Sequence, residues 1–352
     1  MSLPEPALRR RRYLKNALKA ASTVAVFALL LGHPIEVDGV RTSVWHALAD
    51  KVATLSWAQV APYLVAAALL KAVGVACAML RWHLLLRGQG LAFNFGHIVG
   101  SFLIGRFLGT FLPGTLGLDG YKLYDATRYS GRVAEPVAAT AVEKLMGLCG
   151  MALTYVLSAP FGYAILGEAA GLTLAVTVPL ALSIAAGVGA VLWRPALLLR
   201  LIDAIAGWAP RRLQWPLKRL SEAAAAYHGQ GPMLTGVAIL SFLVHFTTAS
   251  MYVLTALAVG AAGVHFGEVV FASSIQILAT VLSPLTIAGE GVRELVQALL
   301  LAKRLGTSNS ILSAALGFWA AEALTLVGAI VLWSRGEGYA PRRAPRSVGE
   351  AA

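Results

Sequence analysis

Charge is scarce in this 352-residue chain. Asp, Glu, Lys and Arg together make up 13% of residues and hydrophobic residues 58%. The charged share is about half that of a soluble globular protein, which excludes an ordinary pair of water-soluble domains. Acid is the scarcer sign, 17 Asp and Glu against 29 Lys and Arg, a net charge of +12. The basic excess lies in short tracts between apolar runs, where it contacts anionic lipid head groups and orients the chain. No nucleic-acid partner is therefore expected. Cysteine is nearly absent: Cys77 and Cys149 both fall inside apolar runs, which excludes a disulfide framework. The histidines show no metal-ligand spacing, so neither a metal nor a cofactor is expected. There is no Gly-x-x-x-x-Gly-Lys-Ser/Thr loop to cradle a nucleotide phosphate, and no Asp-Asp-x-x-Asp-like cluster to hold a divalent metal.

What the chain has instead is long apolar runs, with a mean hydropathy of +0.71. Several exceed about 17 residues with one charge or none, enough to cross about 30 Å of hydrocarbon. The pattern predicts an all-α polytopic membrane protein with about six full spans. These lie near Ala17–Gly32, Gln59–Leu80, Pro136–Pro160, Leu172–Trp193, Met233–Gly260 and Ser310–Trp333. Basic flanks at Arg9–Arg12, at Arg81 and Arg87, and at Arg335, Arg342, Arg343 and Arg346 place both termini in the cytoplasm by the positive-inside rule. The N-terminal run resembles a twin-arginine export signal, but no A-x-A-like cleavage site follows it. It reads as the flank of a first span in the inner (cytoplasmic) membrane. Residues 33–56 form a polar outer loop. Residues 194–232, rich in Arg and Lys, form an inner amphipathic loop. Residues 1–334 form a single transmembrane domain, and 335–352 a disordered basic tail.

Two further apolar segments, Gly96–Leu112 and Val269–Leu285, do not fit a simple crossing count. Each ends at a proline and runs into a charged stretch. Aligned on those prolines, Pro113-Gly-Thr-Leu-Gly-Leu-Asp-Gly-Tyr-Lys122 and Pro284-Leu-Thr-Ile-Ala-Gly-Glu-Gly-Val-Arg293 share Pro-x-Thr-aliphatic-x-x-acid-Gly-x-base without a gap. The pattern predicts two re-entrant helical hairpins, about 96–130 and 269–305, in an inverted repeat. A broken helix inside a membrane survives only where its bare backbone is buried in protein or lines a wet cavity. The restarting helix offers its N-terminus to an anion. Asp119 with Lys122 and Glu290 with Arg293, three apart, share a helix face, and the first stripe continues through Asp125 and Arg128. Lys122 and Arg293 are the candidate phosphate contacts. Gly120 and Gly291 permit close backbone approach. Arg106, Glu143, Lys144 and Glu322 lie at membrane depth, where an ionisable group pairs, faces a cavity or marks a pathway. Glu143, Glu290 and Glu322 are candidates for proton coupling.

Three segments resemble a known family: Phe107–Gly114 with Gly117, Asp119, Gly120 and Lys122; Glu143-Lys144-Leu145-Met146-Gly147-Leu148; and Pro284 through Gly289-Glu290-Gly291-Val292-Arg293-Glu294. They are similar to the flippase-like transmembrane region of bacterial lysylphosphatidylglycerol synthase, the multiple peptide resistance factor. The resemblance implies a module that moves a lipid between leaflets, and points to Asp119, Lys122, Glu143, Lys144, Glu290, Arg293 and Glu294. This chain has Leu118 before Asp119 where the family pattern has Gly, and Lys122 and Lys144 where it has Arg. A lysine is a point charge where arginine is a bidentate fork, which bears on head-group preference. The chain ends without a soluble aminoacyl-transferring domain, so synthesis of a lysyl lipid is not expected of it.

The expected function is a flippase or scramblase for a phosphate-containing lipid, with anionic or zwitterionic head groups as partners and no catalytic residue. A lipid-synthesis enzyme is a second expected partner. Two alternatives stay open: a membrane-embedded transferase of envelope lipid or glycolipid synthesis, and a scaffold for such a complex.

Overall fold

The computed structural model describes residues 21, 24, 28–32, 34–37, 40–110, 116–194, 200, 204, 225–282 and 291–335. The N-terminal basic run, most of the first predicted span, most of the 194–232 loop, both proline-containing hairpin tips with Glu290, and the 335–352 tail beyond its first residue lie outside these.

Residues 34–54, within the predicted outer loop, carry structure that their polar composition did not announce. Strands β1 (Pro34–Val37) and β2 (Val40–Ser43) pair antiparallel, and helix α1 (Val44–Thr54) follows directly. Ser43 ends the strand and caps the helix, its hydroxyl accepting from the His46 N–H at 3.4 Å. Serine suits that place because its oxygen meets a donor the first turn leaves bare.

The principal elements among the other described residues are helices: α2 (Trp57–Gly88), α3 (Phe95–Thr110), α4 (Leu116–Ser130), α5 (Ala134–Ser158), the short α6 (Gly162–Leu166), α7 (Ala170–Trp193), α8 (Gly231–Ala258), α9 (Phe266–Leu282), α10 (Val292–Leu305) and α11 (Thr307–Arg335). Among the described residues, four apolar stretches are long enough to cross a bilayer: α2, α8, α11 and the run Ala134–Ala190. The last, at 57 residues, would extend about 85 Å as one helix. It is interrupted by a 3-10 turn at Ala159–Phe161 and by Gly167 at φ +58°, so α5 and α7 are separate rods. Helix α2 continues eight residues beyond the predicted span end at Leu80, and this draws Arg81 into the bundle.

Helices α3 and α9 have 16 and 17 residues, about 24–26 Å, short of a full crossing. Each packs against its successor, α3 on α4 and α9 on α10. At the first hairpin a Cβ on Gly117 would fall onto the Gly109 backbone, so glycine sets how closely α3 and α4 approach.

The chain divides into two compact units. One comprises Met1–Ala68, Phe161–Ala170 and Ala249–Ala320 and holds the α9–α10 hairpin. The other comprises Leu69–Pro160, Gly171–Thr248 and Ala321–Ala352 and holds the α3–α4 hairpin. The core of the α3–α4 unit is built on Trp82, Leu85, Leu86, Phe102, Met146 and Val237, all nearly inaccessible. In the α9–α10 unit a smaller cluster joins Leu30, Val44, Ala298 and Ile311.

Candidate functional site

In the α3–α4 unit, helix α5 places Glu143 inward, and its two carboxylate oxygens are taken by different cations. Lys122 Nζ donates to Oε2 at 2.7 Å and Arg81 Nη2 to Oε1 at 3.0 Å. Arg81 Nη1 also donates to Ser241 Oγ at 3.1 Å. Lys122 sits over the Trp82 ring at 4.6 Å and the Phe102 ring at 5.2 Å from their centroids. At 1% exposure it is sealed from solvent. The expected Asp119–Lys122 contact exists at 3.7 Å but is the longer of its two carboxylate partnerships. Asp119 bonds more closely to Lys144, whose side chain is half exposed, and the adjacent Gly120 is exposed as well.

The cluster therefore runs from the interior, Arg81 and Glu143, through Lys122 and Asp119, to an accessible rim at Lys144 and Gly120. Arg81, Lys122 and Lys144 outnumber Asp119 and Glu143 by one, so in their usual charge states it carries one positive charge in excess. The cationic rim lies beside the first turn of α4, where free N–H groups add partial positive charge.

The predicted stripe along α4 does not share one environment. Asp125 is buried against His97 Nε2 at 2.7 Å, with the Tyr129 ring 4.4 Å from the imidazole. Arg128 is exposed and donates to the Tyr124 hydroxyl at 2.7 Å. Arg106 is not among the Lys122 partners. It donates to the Ala321 carbonyl at 3.0 Å and approaches Glu322 at 3.7 Å, tying α3 to α11.

In the α9–α10 unit, Gly291 begins α10 at φ +82°, a conformation that favours glycine. Its N–H donates to Glu294 Oε2 at 2.8 Å, and Arg293 Nε donates to Glu294 Oε1 at 3.2 Å. The Arg293 guanidinium lies 4.5 Å from the Phe318 ring centroid. Thus Glu294 caps the helix and neutralises Arg293, and the pair has no net charge.

Around this pair is a set of neutral polar side chains. Tyr252 interacts with both Arg293 and Gln276, and Gln297 Nε2 donates to Ser273 Oγ at 3.0 Å. All are nine-tenths buried or more. Yet Arg293 Nη2, Gln276 Oε1, Gln297 Oε1 and Ser250 Oγ have no hydrogen-bond partner. A buried polar atom left unpaired costs about 1–3 kcal/mol.

Sequence reasoning passed over Arg81, Gln276, Gln297 and Tyr252. Arg81 was read as a flanking charge. The signal against that reading is the apolar run after it, Trp82 and Leu84–Leu86, which extends the helix beyond the charge. The glutamines occur singly in apolar sequence, and only the fold brings them to Arg293. Among the described residues no three His, Cys, Asp or Glu side chains gather as metal ligands.

Compared with known families, residues 16–330 match the lysylphosphatidylglycerol synthase TM region. The chain belongs to that family. Membership extends over nearly all of the chain, so both hairpins and both polar clusters fall inside the family region. It makes this a multi-pass membrane protein of lipid metabolism or transport. A comparison with curated proteins gives no match.

Proposed function

We propose that this protein is a lipid flippase or scramblase that carries a phosphate-containing lipid between leaflets of the inner membrane. The observation that carries the reading is the excess positive charge of the Arg81–Glu143–Lys122–Asp119–Lys144 cluster. A purely structural ion-pair network at membrane depth has reason to be neutral, because an uncompensated charge in low dielectric is expensive. This one is left a positive charge in excess beside a helix N-terminus, with its accessible end at Lys144. An anionic group, such as the phosphate of an anionic or zwitterionic lipid, completes it.

In this reading Lys122 and Glu143 hold the cluster in shape, while Lys144, Asp119 and the α4 N-terminus meet the head group. The two short helices with their prolines act as re-entrant hairpins in an inverted repeat, and both termini are cytoplasmic. No catalytic role is assigned, and a lipid-synthesis enzyme is the natural supplier of cargo.

The test is leaflet exchange in proteoliposomes, followed by chemical quenching of a fluorescent phospholipid analogue on the outer face. Wild-type protein should raise the quenchable fraction above half, and Lys144→Ala should slow exchange. Exchange no faster than in protein-free vesicles would overturn the proposal.

A further inference from the structure

The strands and helix of residues 34–54 carry chemistry that neither buried cluster uses. An open cavity of about 620 Å³ lies there, lined by Pro34, Thr42, Ser43, His46 and Asp50. Ser43, His46 and Asp50 follow at spacings of three and four, so the cap and the two side chains share one face of α1. His46 and Asp50 are both exposed. Among the described residues the Asp50 carboxylate enters no salt bridge.

Ser43 Oγ lies 2.8 Å from His46 Nδ1 and also accepts from the His46 backbone N–H at 3.4 Å. With Nδ1 engaged by the hydroxyl, Nε2 is the ring nitrogen open to a ligand, and in the neutral tautomer protonated at Nδ1 it offers a lone pair. An imidazole anchored through one nitrogen and presented through the other is the arrangement that metal ligation favours. Asp50, one turn along, supplies a carboxylate oxygen, which also disfavours an anion in the cavity. One imidazole nitrogen with one carboxylate suits a transition-metal dication such as zinc, whereas magnesium and calcium favour all-oxygen sets. We propose that His46 and Asp50 form a binding site for such a dication, with Ser43 orienting the ring. Two protein ligands leave the other positions to water, so the bound ion is exchangeable and differs from the closed four-ligand zinc of a structural site. A single histidine paired with a carboxylate does not show in the spacing among histidines.

The experiment titrates zinc ion into purified, untagged full-length protein in detergent and follows binding by calorimetry, with magnesium ion as the comparison. Wild-type protein should bind zinc and leave magnesium unbound at the same concentration. Loss of an outer hydrogen-bond partner alone weakens a metal site about 10–100-fold, so His46→Gln and Asp50→Asn, which each remove a ligand, should weaken zinc binding at least about tenfold. His228→Gln and His265→Gln change exposed histidines outside the cavity and should leave it intact.

Hydrogen exchange supplies the second readout. Because a chelate across one turn clamps α1, zinc should slow amide exchange over residues 43–54 in the wild type and in neither ligand variant. Equal exchange in metal-free wild type and variants shows that the variants are folded. Zinc affinity unchanged by His46→Gln and Asp50→Asn overturns the site, as does magnesium bound as tightly as zinc. Binding lost only on changing His228 or His265 overturns it too, and marks the zinc as adventitious on the surface. None of these outcomes bears on lipid transport, which stands or falls on the leaflet-exchange assay.

Discussion

The two units differ in how they balance buried charge. In the α3–α4 unit most charged atoms have a partner, yet the charges do not sum to zero. In the α9–α10 unit Arg293 and Glu294 form an ion pair with no net charge. One cluster is short of an anion, and the other is balanced. Two hairpins with a shared ten-residue pattern have thus been fitted with different chemistry, and the difference follows from what packs on each. Helix α5 brings Glu143 to Lys122, whereas Arg293 takes its carboxylate from Glu294 on its own helix.

The largest expected effect is at Glu143. Glu143→Gln leaves Arg81 and Lys122 buried with no carboxylate between them, and breaking such a pair costs about 3–5 kcal/mol. Unfolding in mild detergent should show a loss of that order, and a loss below about 1 kcal/mol would mean that the network is more hydrated than its burial indicates. Glu294→Gln is the matched change in the other unit. It keeps an oxygen to cap Gly291 and strands one cation instead of two, so about 1.5–3 kcal/mol is expected, the value of a charged hydrogen bond. If Glu294→Gln proved the more damaging of the two, the contrast between the units would fail.

A third change addresses geometry. Gly117→Val forces side-chain atoms against the Gly109 backbone, and overpacking of this kind costs about 1–3 kcal/mol. It should separate α3 from α4 and leave the α9–α10 unit unaffected, so protease or hydrogen-exchange sensitivity should rise at 95–130 and not at 266–305. A rise in both would show that the two units do not respond independently.

How much of this could be read from the sequence depends on the range of the interaction. The apolar runs marked the long helices, because burying or spanning needs a continuous stretch, and the described element ends fell within a few residues except at α2, which runs eight residues beyond Leu80. The breaks between α3 and α4 and between α9 and α10 were legible from proline and glycine in the sequence. The partner of Lys122 was not. Asp119 is its local carboxylate, but Glu143, 21 residues away, binds it more closely, and spacing on one helix says nothing about a charge on another. Residues 33–56 were read as a polar loop because four-residue strands are too short to show alternation, and the cap at Ser43 emerges only once α1 is seen. Gln276 and Gln297 carry no charge and sit singly, so nothing along the chain sets them apart from ordinary interhelical contacts.

The smallest effect on stability should come from the rim, and it is the most telling about function. Lys144 is half exposed, and an ion pair so placed contributes about 0–1 kcal/mol, so Lys144→Ala should leave unfolding nearly unchanged. It does remove the positive excess, bringing the cluster to neutrality. Asp119→Asn changes charge in the other direction and raises the excess to two. If the cluster binds lipid phosphate, the variants must shift anionic-lipid retention with opposite signs: down for Lys144→Ala and up for Asp119→Asn, each by about three- to tenfold at low salt and less at high salt. A merely structural network predicts no such pairing of signs, since both changes break the same Asp119–Lys144 contact and would act alike. Opposite shifts would therefore tie the charge excess to the ligand, and parallel shifts would tie it to the fold.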